Sequence, residues 1–148
     1  MQEPIIGIIG GHGRMGQLFA DFFRRHGIKV LISDTTTKLT NIQLAKKADI
    51  TIISVPIDKT TETIKEIREH MPKTSALMDF TSVKDEAVKE MLKAKCEVLA
   101  MHPMFGNSNP IPGQTIILCP TKKSSHWSGW MESFLKKAGV HIIKMTVK

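Results

Sequence analysis

Short apolar runs alternate with stretches of helical periodicity along most of the chain. Ile5-Ile6-Gly7-Ile8-Ile9 reads as a strand buried on both faces. Met15, Leu18, Phe19, Phe22 and Phe23 then recur at helical spacing as far as His26, and Gly27 is a C-terminal stop. Ile28–Ile32 is the next strand, ending at Ser33-Asp34, and a weaker helix covers Leu39–Lys47. The apolar run Ile50–Val55 is a strand that Pro56 ends. A helix over Thr60–His70 turns Ile64 and Ile67 to one face. Ala76–Asp79 predicts a strand, Lys84–Lys95 a helix, and Glu97–Met101 a strand. Asn107–Gly113 is a loop rich in Asn, Pro and Gly. Thr115–Leu118, Ser124–Ala138 and Val140–Ile143 complete the series as strand, helix and strand. Strands apolar on both faces, alternating with helices, predict a doubly wound α/β domain with a mostly parallel sheet.

Composition narrows the class. At 148 residues, 41% hydrophobic and 24% charged, the chain reads as one globular domain spanning 1–148. No apolar run approaches the ~20 residues of a membrane span, and Met1-Gln2-Glu3-Pro4 is not an export signal, so the expectation is a cytoplasmic protein without membrane contact. Cys96 and Cys119 lie in apolar stretches without metal-ligand spacing and read as reduced core residues; no metal site is expected. The net charge of +7 raises nucleic acid as a partner. However, the lysines are scattered pairs, Tyr is absent and aromatics make up 5%, which leaves few platforms for stacking bases. The excess instead suits small anionic ligands.

In doubly wound sheets ligands bind beyond the carboxyl ends of the strands. The first strand delivers Gly10-Gly11-His12-Gly13-Arg14-Met15-Gly16, in which Gly11, Gly13 and Gly16 spell G-x-G-x-x-G. It follows a strand, opens a helix, and precedes by about 20 residues an acidic strand end, Asp34, as in a Rossmann-type dinucleotide-binding domain. Gly11 permits the turn, Gly13 lets backbone approach a pyrophosphate, and Gly16 lets helix pack on strand. Asp34 accepts hydrogen bonds from a ribose diol and repels a 2′-phosphate, favouring NAD over NADP. Arg14 either lies over the pyrophosphate or is a solvated first-turn residue. Ser82 is a helix N-cap, a group at the nicotinamide end of the cleft, or both. His102 stands at the end of the fifth strand, held extended by Pro103, and an imidazole there suits proton abstraction from a hydroxyl.

Gly10-Gly11-x-Gly13-x-Met15-Gly16, Ser54-Val55-Pro56, Asp79-x-x-Ser82-Val83-Lys84 and His102-Pro103-Met104-Phe105-Gly106 occur in an order and spacing that resembles prephenate dehydrogenases. The resemblance spans essentially the whole chain. It implies NAD-dependent oxidative decarboxylation of prephenate to 4-hydroxyphenylpyruvate, with arogenate as a related substrate. His102 matches the family's catalytic histidine and Ser82 its active-site serine. Gly11, Gly13, Arg14, Met15, Gly16, Asp34, Val55 and Pro56 fall in the cofactor-binding motifs. The family also has a helical C-terminal domain that makes its dimer and supplies much of the substrate pocket, and that domain is not among these residues. The expectation is therefore a nearly complete cofactor site and half a substrate site. The alternative class is an NAD-binding sensor or interaction module that does not catalyse.

Overall fold

Three strands that expose neither face must be covered on both sides, and the sheet is built around that requirement. The computed structural model describes residues 3–81 and 85–146. Its strands are β1 (Ile6–Ile9), β2 (Val30–Ser33), β3 (Ile50–Ile53), β4 (Ala76–Asp79), β5 (Glu97–Pro103), β6 (Thr115–Pro120) and β7 (His141–Lys144). The helices are α1 (Arg14–Arg25), α2 (Asn41–Lys47), α3 (Ile57–Ile67), α4 (Asp85–Met91) and α5 (His126–Lys137), with a 3-10 turn at Arg68–His70. One seven-stranded sheet runs in the order β2-β1-β3-β4-β5-β6-β7. β1, β3 and β4 are buried at every position. Phe19 and Phe23 of α1 and Met131 and Leu135 of α5 pack against Ile8, Ile52 and Met78 on one face. Leu44, Ile64, Ile67 and Met91 of α2, α3 and α4 pack against Ile9, Ile53 and Leu77 on the other.

The pairs β2–β1, β1–β3, β3–β4 and β4–β5 are parallel, β5–β6 is antiparallel, and β6–β7 is parallel again. The mostly parallel doubly wound sheet is as the sequence predicts. The reversal arises because β5 and β6 are joined by a loop without the helix that a parallel crossover requires.

Element ends differ from the sequence pattern for local reasons. α2 starts at Asn41 because Thr40 caps it: Thr40 Oγ1 accepts from Gln43 N and Gln43 Oε1 from Thr40 N. α3 starts at Ile57, three residues ahead of Thr60, with Pro56 as its cap. α4 ends at Met91 instead of reaching Lys95. Lys93 N and Ala94 N turn back to Glu90 O and Met91 O, and Lys123 Nζ donates to the carbonyls of Leu92 and Ala94, withdrawing them from the helix ladder. β5 runs two residues further than predicted, through His102 and Pro103, because β6 pairs with both.

Cys96 and Cys119 are buried free thiols, and burial pushes the Cys96 thiol up to about 11, so it stays protonated at neutral pH. Among the described residues no helix is long and apolar enough to cross a membrane. One ionic cluster ties the 3-10 turn after α3 to α4. Lys93 Nζ donates to Glu90 Oε2 at 2.9 Å and Arg68 Nη1 to Oε1 at 3.1 Å. The Lys93 hydrogen bond first, and Arg68 after it, hold the Glu90 carboxyl below the usual carboxylate range against the opposing effect of burial. A lowered folded pKa gives stability that is present above the unfolded value of about 4.3 and lost as pH falls through the folded one. Melting curves from pH 7 to pH 3 therefore show an acid limb that flattens in Glu90→Gln, which is also less stable at pH 7. An unchanged limb in that variant would remove Glu90 from the account.

Candidate functional site

The site forms where the chain reverses direction across the sheet. β1 leads to β2 on one side and β3 lies on the other, so a crevice opens over the carboxyl ends of β1 and β3. Gly10 leaves β1 at φ +84°, and a Cβ there would run into the Ser54 carbonyl oxygen at the end of β3. Gly10 N and Gly11 N donate to Ser33 O at 2.8 and 3.3 Å, and Gly13 N donates to Gly10 O at 3.0 Å. The loop is thus pinned to the ends of both neighbouring strands. Gly16 lies under it: a Cβ would meet Gly10 O at 2.5 Å and the Gly11 Cα at 2.8 Å.

That close packing aims the start of α1 into the crevice. Gly13 is the N-cap, no side chain caps the helix, and its first turn holds no acidic residue, whereas Arg24 and Arg25 end it. The first-turn N–H groups and the positive dipole end are therefore presented to an anion. Asp34 follows β2, with its carboxylate oriented by backbone: Oδ2 accepts from His12 N at 3.0 Å and Oδ1 from Thr35 N at 2.8 Å. Its own N–H donates to Thr37 Oγ1 at 2.9 Å.

Two adjoining hollows fill the crevice. The larger, about 860 Å³, reaches from Gly10, Gly13 and Asp34 to Val55 and across to Glu62 and Glu66 on α3. The smaller, about 430 Å³, is lined by Arg14, Met15, Val55, Pro56, Phe80 and Thr81. Gly13, Ser54, Val55 and Pro56 border both, so the helix start sits between two lobes of one elongated cleft. A dinucleotide fits this arrangement: a cradle that a side chain at Gly16 would fill, an uncapped helix end, and a carboxylate in the larger lobe.

Of the residues expected from the sequence, Gly13, Arg14, Met15, Asp34, Val55 and Pro56 line the cleft, and Gly11 and Gly16 are buried beneath it. Ser82 lies outside the described residues. His102 lines neither hollow; it sits on β5 two residues beyond Ala100, which is level with Asp79 and Ile53 at the strand ends. Its ring is half-buried, with Nδ1 shielded from solvent. Phe80, lining the smaller lobe, and Phe105, three residues after His102, both pack on Phe19, with ring centroids at 4.2 and 6.2 Å. The strand end that carries His102 is thereby braced on the smaller-lobe side.

Sequence patterns missed the far wall of the larger lobe. Asn41, Glu62 and Glu66 belong to it. The signal available was two carboxylates at i, i+4 on one helix face, a like-charge pair that disfavours the helix. Thr60 and Thr81 were also missed: their hydroxyls meet at 3.2 Å and join the start of α3 to the end of β4. Among the described residues no three His, Cys, Asp or Glu side chains are grouped to hold a metal ion.

A family model described as the prephenate dehydrogenase nucleotide-binding domain matches residues 20–144. The chain belongs to this family. The probable arogenate/prephenate dehydrogenase of Methanocaldococcus jannaschii is 35% identical over 158 residues, covering 93% of this chain and 35% of that relative. This prephenate dehydrogenase domain thus spans about a third of the length of that protein. The crystal structure of Synechocystis arogenate dehydrogenase superimposes with a TM-score of 0.82 at 20% identity, over 96% of this chain and 59% of that one. Prephenate dehydrogenase from Aquifex aeolicus, solved with hydroxyphenyl propionate and NAD+, gives 0.78 at 21% identity, over 99% and 61%. At such identities the two structures establish the shared Rossmann-type fold.

Proposed function

We propose that this chain is the NAD-binding half of an enzyme that oxidatively decarboxylates prephenate to 4-hydroxyphenylpyruvate, with arogenate as the alternative substrate. The observation that carries this reading is the cleft itself: a glycine loop ending on an uncapped helix, beside a backbone-oriented carboxylate, in a prephenate dehydrogenase family member. Gly13 and the first turn of α1 would hold the pyrophosphate. Asp34 would accept hydrogen bonds from the adenosine ribose, and its charge disfavours a 2′-phosphate there, so NAD is preferred to NADP. Arg14, Met15, Val55 and Pro56 would enclose the nicotinamide half. When bound, NAD supplies the hydride acceptor.

His102 would take the proton from the substrate's ring hydroxyl as neutral imidazole. Removing that proton favours departure of hydride from the carbinol carbon; loss of the ring carboxylate as carbon dioxide then leaves an aromatic ring. Ser82 is the second residue that matches the family's active site near that hydroxyl. Isothermal titration of the chain with NAD is expected to give saturable binding with NADP weaker. Asp34→Ala is expected to weaken NAD about tenfold or more through lost charge-assisted hydrogen bonds, and to narrow the gap to NADP. Absence of binding at millimolar NAD would overturn the cofactor reading.

A further inference from the structure

The wall of the larger lobe facing Asp34 is more specific than adenosine shape alone requires. With the pyrophosphate at Gly13 and the ribose at Asp34, the remainder of the larger lobe, bordered by Thr35, Asn41 and Glu62 and Glu66 of α3, is the space open to the base of a bound dinucleotide. Two carboxylates reach that space and are partnered differently. Glu62 has the Lys59 ammonium 3.9 Å away. Glu66 is held by a neutral relay: the buried Ser33 hydroxyl donates to Asn41 Oδ1 at 2.8 Å, and Asn41 Nδ2 donates to Glu66 Oε1 at 2.9 Å. Ser33 also ends β2, and its carbonyl anchors the glycine loop. One short segment therefore sets both the phosphate cradle and the orientation of Glu66. A carboxylate only accepts hydrogen bonds, so its position selects a base edge that donates.

Resting on the dinucleotide reading above, we propose that Glu66 is a specificity-determining residue that accepts a hydrogen bond from the 6-amino group of adenine, so that the cleft distinguishes adenine from hypoxanthine dinucleotides. Hypoxanthine carries a 6-oxo group, which sets acceptor against acceptor at this point, so the hydrogen bond made with the 6-amino group is lost.

The test is titration calorimetry with NAD and with nicotinamide hypoxanthine dinucleotide. The unaltered chain is expected to bind NAD about tenfold more tightly. In Glu66→Gln the amide can either donate or accept, so hypoxanthine affinity rises and the ratio falls below about threefold. Asp34→Ala is expected to weaken both dinucleotides together and leave the ratio intact. Equal affinities in the unaltered chain, or an unchanged ratio in Glu66→Gln, would overturn the role of Glu66 while leaving the NAD site standing. Failure to bind either dinucleotide at millimolar concentration would overturn the cofactor reading and this role with it. Glu66 is exposed on α3, and the ratio in the unaltered chain is readable whatever the variant's stability.

Discussion

Gly16→Val is expected to abolish measurable dinucleotide binding and to lower the melting temperature by about 2–12 °C. The Cβ alone meets Gly10 O at 2.5 Å and Gly11 Cα at 2.8 Å, and both are backbone. Backbone there has nowhere to retreat. Gly10 and Gly11 are hydrogen-bonded to Ser33 O, and Gly10 is already close against Ser54 on β3. Relief therefore requires α1 to move off the sheet, and Phe19 and Phe23 of that helix are core residues, each 1% exposed. Overpacking of a filled interior costs about 1–3 kcal/mol, and each kcal/mol is worth about 2–4 °C in a chain of this size. Binding suffers more than stability, because the displaced element is the helix end proposed to face the phosphates. A loss of at least 100-fold in NAD affinity is expected by calorimetry, with thermal unfolding followed in parallel. An affinity within threefold of the unaltered chain would show that the phosphates are held elsewhere.

The glycine loop was legible in the sequence for the same steric reason. Gly10, Gly11 and Gly16 stand where neighbouring backbone or the Ile32 side chain leaves no room for a Cβ, so the pattern is a direct imprint of packing. β1, β3 and β4 were legible because burial on both faces leaves them almost wholly apolar, with Thr51 and the terminal Asp79 as their buried polar residues. Direction was not: Thr115–Leu118 is as apolar as a parallel strand, and only the loop before it, with no helix to cross over, implies reversal. The tail of α4 was equally hidden. Its periodicity continues to Lys95, but a lysine about 30 positions away in sequence takes its carbonyls. The far wall of the larger lobe failed for a related reason. Asn41 and Glu66 are 25 positions apart and meet only because α2 and α3 lie on the same face of the sheet. Local pattern carries what local sterics dictate, and residues brought together by topology leave little trace in it.

His102 tests whether this principle extends to the chemistry. The sequence places it at a strand end, and the fold keeps it there but outside both hollows, on β5 beyond the level of Ala100. A residue so placed contributes little to holding a dinucleotide, and the role proposed for it lies with the substrate. His102→Asn in the active enzyme is therefore expected to lower kcat for NAD-dependent prephenate oxidation by about 10²–10⁴-fold, the usual worth of a general base. NAD affinity is expected to stay within twofold. Asparagine accepts the extended backbone before Pro103 and keeps a hydrogen-bonding amide, but it cannot take up a proton at neutral pH. The pH profile separates base from bystander. If His102 is the base, kcat/KM is expected to fall on the acid side as a protonated imidazole can no longer accept the hydroxyl proton. The His102→Asn enzyme loses that limb and runs flat at its low level. A variant whose kcat fell while its acid limb persisted would have lost geometry only, and the base would then have to be sought on another strand end. A variant that lost NAD affinity and kcat in equal measure would put His102 in the cofactor cleft, against its position on β5.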